Sequence, residues 1–234
     1  MNNIKLEAHI DGLGSIVYSE DIFNKSLRKL QKSNARLMSI NEVALARIQI
    51  PPYHLLNLTG TYVSEGIVAI PRVGIIVTNE SPILQFPEEA TASHERGSEF
   101  FLDSFLNKKN IEKYIDLAKL NMDSFFLADW REIPEDSNTI LSLPVEKLGD
   151  DEKTEKLFKG EAKKYGEFLK ESGCEEFVIW FNSRQYIENL KRPHANQLWF
   201  RWLDIRSGIM GNNLLNNCSR VRGICNYKID RPLN

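Results

Sequence analysis

The stretch from Asn196 to Tyr227, NQLWFRWLDIRSGIMGNNLLNNCSRVRGICNY, limits what this chain can fold into more than any other segment. Trp199, Arg201 and Leu203 alternate with Leu198, Phe200 and Trp202, and Arg220 and Arg222 alternate with Val221 and Gly223. A period of two is the signature of a strand, so both flanks predict strands. Between them lie Gly208, Gly211 and the run NNLLNN. Glycine tolerates left-handed backbone and asparagine hydrogen-bonds its own chain, so the enclosed run predicts an exposed loop held at both ends. Such a loop suits display better than catalysis.

Upstream, Ile4 to Tyr18 alternates briefly around Gly12 and Gly14, predicting an amino-terminal hairpin. Ser19 is placed to cap a helix carrying Phe23, Leu27 and Leu30 at helical spacing. Ser39-Ile40-Asn41-Glu42 predicts a second helix start, with serine and glutamate satisfying each other's backbone donors. Pro51 and Pro52 end that unit. Thr61–Ile70 and Val73–Thr78 are rich in β-branched residues and separated by Pro71-Arg72, which predicts a hairpin, with Ile83–Phe86 as a third strand. Ser98–Leu106 and Asn110–Leu120, the latter capped by Asn110, predict a helical pair, and DSFFLADW predicts a buried strand. The longest helix is expected over Asp151–Ser172, with Phe158, Ala162, Tyr165 and Leu169 on one stripe, before a core strand at Phe177–Phe181.

Several functional classes are disfavoured. A net charge of -2 gives no basic footprint for a nucleic-acid backbone, so no nucleic-acid partner is expected. The start MNNIKLEAHIDGLGS lacks a secretory pattern and no apolar run approaches the ~20 residues that span a bilayer. The expectation is a soluble chain, compatible with a virion component or a cytoplasmic protein. Cys174, Cys218 and Cys225 match neither a disulfide framework nor a zinc motif. His9, His54, His94 and His194 show no paired spacing, so neither metal nor cofactor is expected.

Arg36–Arg47, RLMSINEVALAR, resembles the helix start of the formylglycine-generating branch of the C-type lectin fold. The arrangement LWxRxLDxxSxxxGxxLxxxxxRVRGI over residues 198–224 is more similar still to the variable region of proteins diversified by diversity-generating retroelements, including those of archaeal viruses. The middle of the chain matches nothing in that pattern. The resemblance implies an α+β fold, C-type lectin-like, with a mixed or antiparallel sheet and two helices. It implies one domain over residues 1–234 with a large α/β insertion at 51–173 and a variable ligand-binding region at 196–227.

The resemblance also implies a binding protein whose contact residues are rewritten by adenine-directed mutagenesis, with asparagines as unconverted positions. The exposed variable set is then Trp202, Ile205, Arg206, Ile209, Met210, Asn212, Asn213, Leu215, Asn216, Asn217, Cys218 and Ser219. Trp199, Arg201, Leu203, Asp204, Ser207, Gly211, Leu214, Arg220, Arg222 and Gly223 form the fixed frame. The implied partner is a protein or cell-surface ligand; the small patch predicts modest binding by one copy and strong attachment only by a multivalent assembly, and residues 51–173, which match nothing in the family pattern, are expected to supply attachment or oligomer contacts. The alternative is a formylglycine-generating-type oxidase using Cys218 and Cys225. A calcium-dependent sugar lectin is disfavoured, because EPN, QPD and WND are missing.

Overall fold

The computed structural model describes residues 4–121, 124–216 and 219–225, with Ser219 as backbone only. The chain opens on a hairpin, β1 (Lys5–Ile10) and β2 (Gly14–Asp21), turned through Gly12 at φ 80°. Then follow α1 (Phe23–Lys32), β3 (Arg36–Leu37), α2 (Ile40–Gln49) and a single turn, α3 (Leu55–Leu58). A hairpin of β4 (Thr61–Ile70) and β5 (Gly74–Thr78) leads into α4 (Pro82–Gln85), α5 (Pro87–Glu95), β6 (Phe100–Phe101) and α6 (Lys108–Lys119). The remainder runs β7 (Ser124–Asp129), β8 (Thr139–Pro144), α7 (Glu152–Phe158), α8 (Ala162–Glu171) and β9 (Glu176–Trp180). It closes with α9 (Arg184–Leu190), β10 (His194–Phe200), β11 (Arg206–Met210) and β12 (Ser219–Cys225).

Among the described residues these strands make two sheets. The smaller is antiparallel, in the order β1-β2-β12-β3. The larger is ordered β7-β5-β4-β10-β11-β9-β8, with β6 also on β10, and is mixed because β11 runs parallel to β9. Both faces of the larger sheet are covered. Val63, Ile67, Leu198 and Phe200 pack with residues of α2, α7 and α8, whereas Tyr62, Val68, Ala195 and Trp199 pack with α1, α5 and α6. A strand buried on both sides reads as a nearly continuous apolar run, which is why TYVSEGIVAI shows no clean alternation. Residues 51–173 supply β4 through β8 of this same sheet, and β4 pairs directly with β10.

The capping box at α2 forms as its sequence demands: Ser39 Oγ accepts from Glu42 N–H at 3.2 Å, and Glu42 Oε2 from Ser39 N–H at 2.8 Å. Elsewhere the sequence-based expectations give way to pairing. Ser19 does not cap α1. Strand β2 continues to Asp21, Ser19 pairs with Val221 in the ladder, and Asp21 Oδ1 holds Ile22 N–H at 2.9 Å. In place of the third strand expected at Ile83–Phe86, Pro82–Gln85 is helical, started by Pro82 at the first position, where its missing N–H costs nothing, and Phe86 caps its end. Ser98–Leu106 is not an α-helix, because Phe100 and Phe101 pair with β10 and only a single 3-10 turn, Leu102–Ser104, follows. The cap of α6 is Asn107, whose Oδ1 accepts from Asn110 N–H at 2.9 Å. The long helix breaks after Phe158, where Lys159 (φ 49°) and Gly160 (φ 88°) turn the chain left-handed, yet Phe158, Ala162, Tyr165 and Leu169 stay in one cluster.

The largest departure concerns the display run. Arg206–Met210 is a strand inserted between β10 and β9. Gly208 permits this, since a Cβ there would lie 1.8 Å from the Val178 carbonyl oxygen. The exposed segments are therefore two short connections, 201–205 and 211–216, on either side of a buried strand.

Candidate functional site

Two buried arginines hold the surface on which these connections lie. Arg222, on β12, is 0% exposed. Its Nε donates to Glu7 Oε2 at 2.5 Å and its Nη2 to Glu7 Oε1 at 2.9 Å, a bidentate pair with a carboxylate that is itself buried. The same guanidinium donates to the carbonyls of Gly60 (3.0 Å) and Leu55 (3.2 Å) and to Thr59 Oγ1 (2.6 Å). Burial pushes the Arg222 pKa below the usual arginine value, and Glu7 opposes that shift. Arg47, on α2, is equally buried. It donates to Leu56 O (3.2 Å), Tyr165 Oη (3.1 Å) and Arg201 O (2.6 Å), and its guanidinium lies 4.5 Å from the Phe200 ring centroid. Both arginines therefore grip carbonyls of the α3 turn, and Arg47 also grips the first residue after β10.

On this base the 201–205 connection presents aromatic and apolar groups. Leu203 N–H donates to Asn57 O at 2.8 Å, tying the connection to α3. The Arg201 guanidinium lies 4.8 Å from the Trp202 ring centroid and 5.3 Å from that of Trp180, and pairs with Asp204 at 3.3 Å. Asp204 Oδ1 accepts from Ile205 N–H at 2.7 Å. Trp199 packs edge-on against Trp202 at 5.5 Å and lies over Gly60, where a Cβ would come within 2.0 Å of its ring. Leu58, Thr59, Gly60, Trp199 and Trp202 line one open groove, closed at its polar end by Glu20 and Arg220. Arg220 hydrogen-bonds Glu20 and lies 4.3 Å from the Tyr18 ring centroid, and this bond holds the Glu20 carboxyl below its usual range.

The second connection is pinned from below. Leu215 N–H donates to His94 Nδ1 at 3.0 Å, and Asn216 Nδ2 donates to His94 O at 3.2 Å. Leu215 O accepts from Phe23 N–H at 3.1 Å, and Leu214 O accepts from Tyr62 Oη at 2.8 Å. Accepting at Nδ1 requires a neutral imidazole, and burial lowers the His94 pKa accordingly.

The expected variable set divides unequally. Trp202, Ile205 and Arg206 are exposed, and Met210, Asn212, Asn213 and Asn216 are half-buried. Ile209 (1% exposed) and Leu215 (0%) are core residues, which corrects their expected exposure. Strand β11 has both faces covered, and Leu215 is drawn inward by His94 and Phe23. Asn217 and Cys218 lie outside the described residues, as does the Ser219 side chain. Of the expected frame, Trp199, Ser207, Gly211, Arg222 and Gly223 are buried and Arg201, Leu203 and Arg220 are partly so. Asp204 and Leu214 are exposed, although Asp204 still orders its own connection.

Sequence reasoning missed Tyr53 (80% exposed), Leu55 (46%) and Leu58 (54%), large apolar groups on and beside α3. No periodicity marks them in PPYHLLNL. It also missed His94 and Glu7, which acquire their roles only through contacts 121 and 215 residues distant in sequence.

No protein-family model and no curated protein matches the chain. Among solved structures it is similar to one reported as showing "accommodation of massive sequence variation in Nanoarchaeota by the C-type lectin fold". The TM-score is 0.65 at 17% identity, covering 92% of this chain and 100% of the other. At that identity the likeness establishes the fold, and this chain has a C-type lectin fold.

Proposed function

From that fold we propose that the chain is a ligand-binding protein whose recognition surface is built around the 201–205 and 211–216 connections, with the Arg206 and Met210 ends of β11, and diversified by a diversity-generating retroelement. The observation that carries this reading is a division of labour within one short segment. Trp202, Ile205 and Arg206 are exposed, while buried Arg47 holds the Arg201 carbonyl at the root of their connection, Arg222 holds the neighbouring α3 turn and His94 holds the Leu215 backbone of the second connection. Exposed side chains change at a cost usually within ~0.5 kcal/mol, so the identity of such residues is free to follow the partner. The similar Nanoarchaeota structure, described in terms of sequence variation, supports the reading by analogy.

The surface is larger than the variable segment. Leu58 shares the groove with Trp202, and Leu55 on the same turn and Tyr53 just before it are further exposed apolar side chains. These are constant apolar anchors beside variable ones, suited to a protein or cell-surface partner. A patch of this kind covers less than the ~800 Å² per partner of a standard interface, so one copy binds modestly and strong attachment needs several copies. Recognition without catalysis is the reading we adopt, because Cys225 is buried and burial pushes the Cys174 thiol up, away from the reactive thiolate.

The DNA beside the coding sequence tests the retroelement part. A near-copy of the segment for residues 198–224, differing only where the copy has adenine, is expected next to a reverse transcriptase, and differences scattered over all four bases refute it. A displayed library randomised at Trp202, Ile205, Arg206 and Asn212 tests the surface. Most members are expected to keep the parental melting temperature, and general loss of folding would show that these side chains are structural.

A further inference from the structure

Away from the display surface, on the face of the larger sheet covered by α2 and α7, lies a cavity of about 230 Å³. It has room for roughly seven waters at ~30 Å³ each, and it is smaller than the ~300 Å³ at which pockets for drug-sized ligands begin. One side chain makes it unusual. Glu65 is 3% exposed, on β4 between Val63 and Ile67, which belong to the apolar core. It is delivered there by an irregularity in the β4–β10 pairing, where Gln197 Nε2 donates to Glu65 O at 2.7 Å and to Val63 O. The Glu65 carboxyl accepts from Ile40 N–H, at 3.0 and 3.2 Å, and weakly from Ser64 Oγ at 3.3 Å. A carboxylate has about four lone-pair sites, so these donors leave acceptor capacity unused.

The lining also carries the other sign. Lys156 and Lys159 border the same space, together with the carboxamides of Asn79 and Asn121. Lys156 is already shared between Glu152 (2.6 Å) and Asn121 (3.1 Å). Lys159 is exposed, and among the described residues it makes no ion pair; its charge acts on Glu65. The apolar part of the lining is Val77, Phe125 and Leu157.

We propose that this cavity binds a small zwitterion of amino-acid size, its ammonium on Glu65, its carboxylate on Lys159 and the neighbouring carboxamides, and a short apolar side chain against Val77, Phe125 and Leu157. The ammonium supplies a charged partner in direct contact, which the buried carboxyl lacks among the described residues, and burial now holds Glu65 towards its neutral form. The carboxylate supplies a partner for Lys159. A simple anion would leave the first pole unmatched and a simple amine the second. The site makes no use of the display surface and stands independently of it.

The full-length chain is tested by thermal shift and calorimetry with free glycine, alanine, valine and leucine, and with N-acetylvaline and valinamide, each of which lacks one pole. At least one free amino acid is expected to raise the melting temperature by about 3–6 °C at tenfold its Kd, with both blocked analogues at least about tenfold weaker. Lys159→Ala, at an exposed position, is expected to weaken binding about tenfold while leaving the unliganded melting temperature nearly unchanged. Glu65→Gln is expected to remove the response. No shift with any free amino acid overturns the proposal. So does equal binding of a blocked analogue, or an unchanged affinity in Lys159→Ala, and both of these readouts remain informative should Glu65→Gln fail to fold.

Discussion

Replacing Arg222 by alanine tests whether a buried ion pair holds the α3 turn and the surface beside it. The guanidinium makes two charge-assisted bonds to Glu7 and three more to Gly60, Leu55 and Thr59. Truncation leaves the buried Glu7 carboxylate without its partner, a change that costs roughly 3–5 kcal/mol in comparable settings. Arg220 softens the loss, because its Nη1 lies 3.9 Å from Glu7 Oε1 and stays in place. The expected cost is therefore about 3–4 kcal/mol, which at ~2–4 °C per kcal/mol for a chain of this size lowers the melting temperature by roughly 6–16 °C. Urea unfolding of five proteins reads it: wild type, Glu7→Gln, Arg222→Ala, the double variant and the exposed reference Arg206→Ala. The double variant is expected to lose less than the two single losses combined, since it leaves no uncompensated charge. A loss below ~1 kcal/mol for Arg222→Ala, no greater than for exposed Arg206→Ala, would refute the reasoning.

Two further outcomes follow from burial. Ile209→Ala is expected to cost about 2–5 kcal/mol in urea unfolding, because it opens a cavity between covered faces, whereas Ile205→Ala four residues earlier stays within ~0.5 kcal/mol; equal effects would contradict the placement of β11. His94 and His194 both have pKa values lowered by burial, so the unfolded chain takes up protons first. Their contribution is full above about pH 6.5 and is lost as pH falls below it towards the folded pKa. Glu65, with its pKa raised, acts in the opposite sense, so the His94 share is read from the difference between wild type and His94→Asn. That difference is expected to change between pH 7.5 and 5.5, and a constant difference would remove His94 as a titrating anchor of Leu215.

Much of the fold was legible wherever local chemistry and tertiary pairing agree. The α2 capping box, the β4–β5 hairpin around Pro71-Arg72 and the strand at β12 all form where the residues predict them. Legibility failed where pairing overrode local preference. Ser98–Leu106 has helical spacing, but Phe100 and Phe101 complete an edge beside β10. Leu214 and Leu215 are chemically identical neighbours, and only the contacts to His94 and Phe23 decide which of them is buried.

By itself the sequence determined the class of fold, the ends of the C-terminal segment and the presence of a frame of arginines, glycines and tryptophans within it, because strand period, capping and turn chemistry are written in neighbouring residues. Only the tertiary structure decided that the centre of that segment is a core strand, that α3 adds an apolar shoulder to the exposed surface, and that Arg222 finds Glu7. The reason is physical: a residue's exposure depends on what covers its face of a sheet, and here that cover comes from chain far away in sequence.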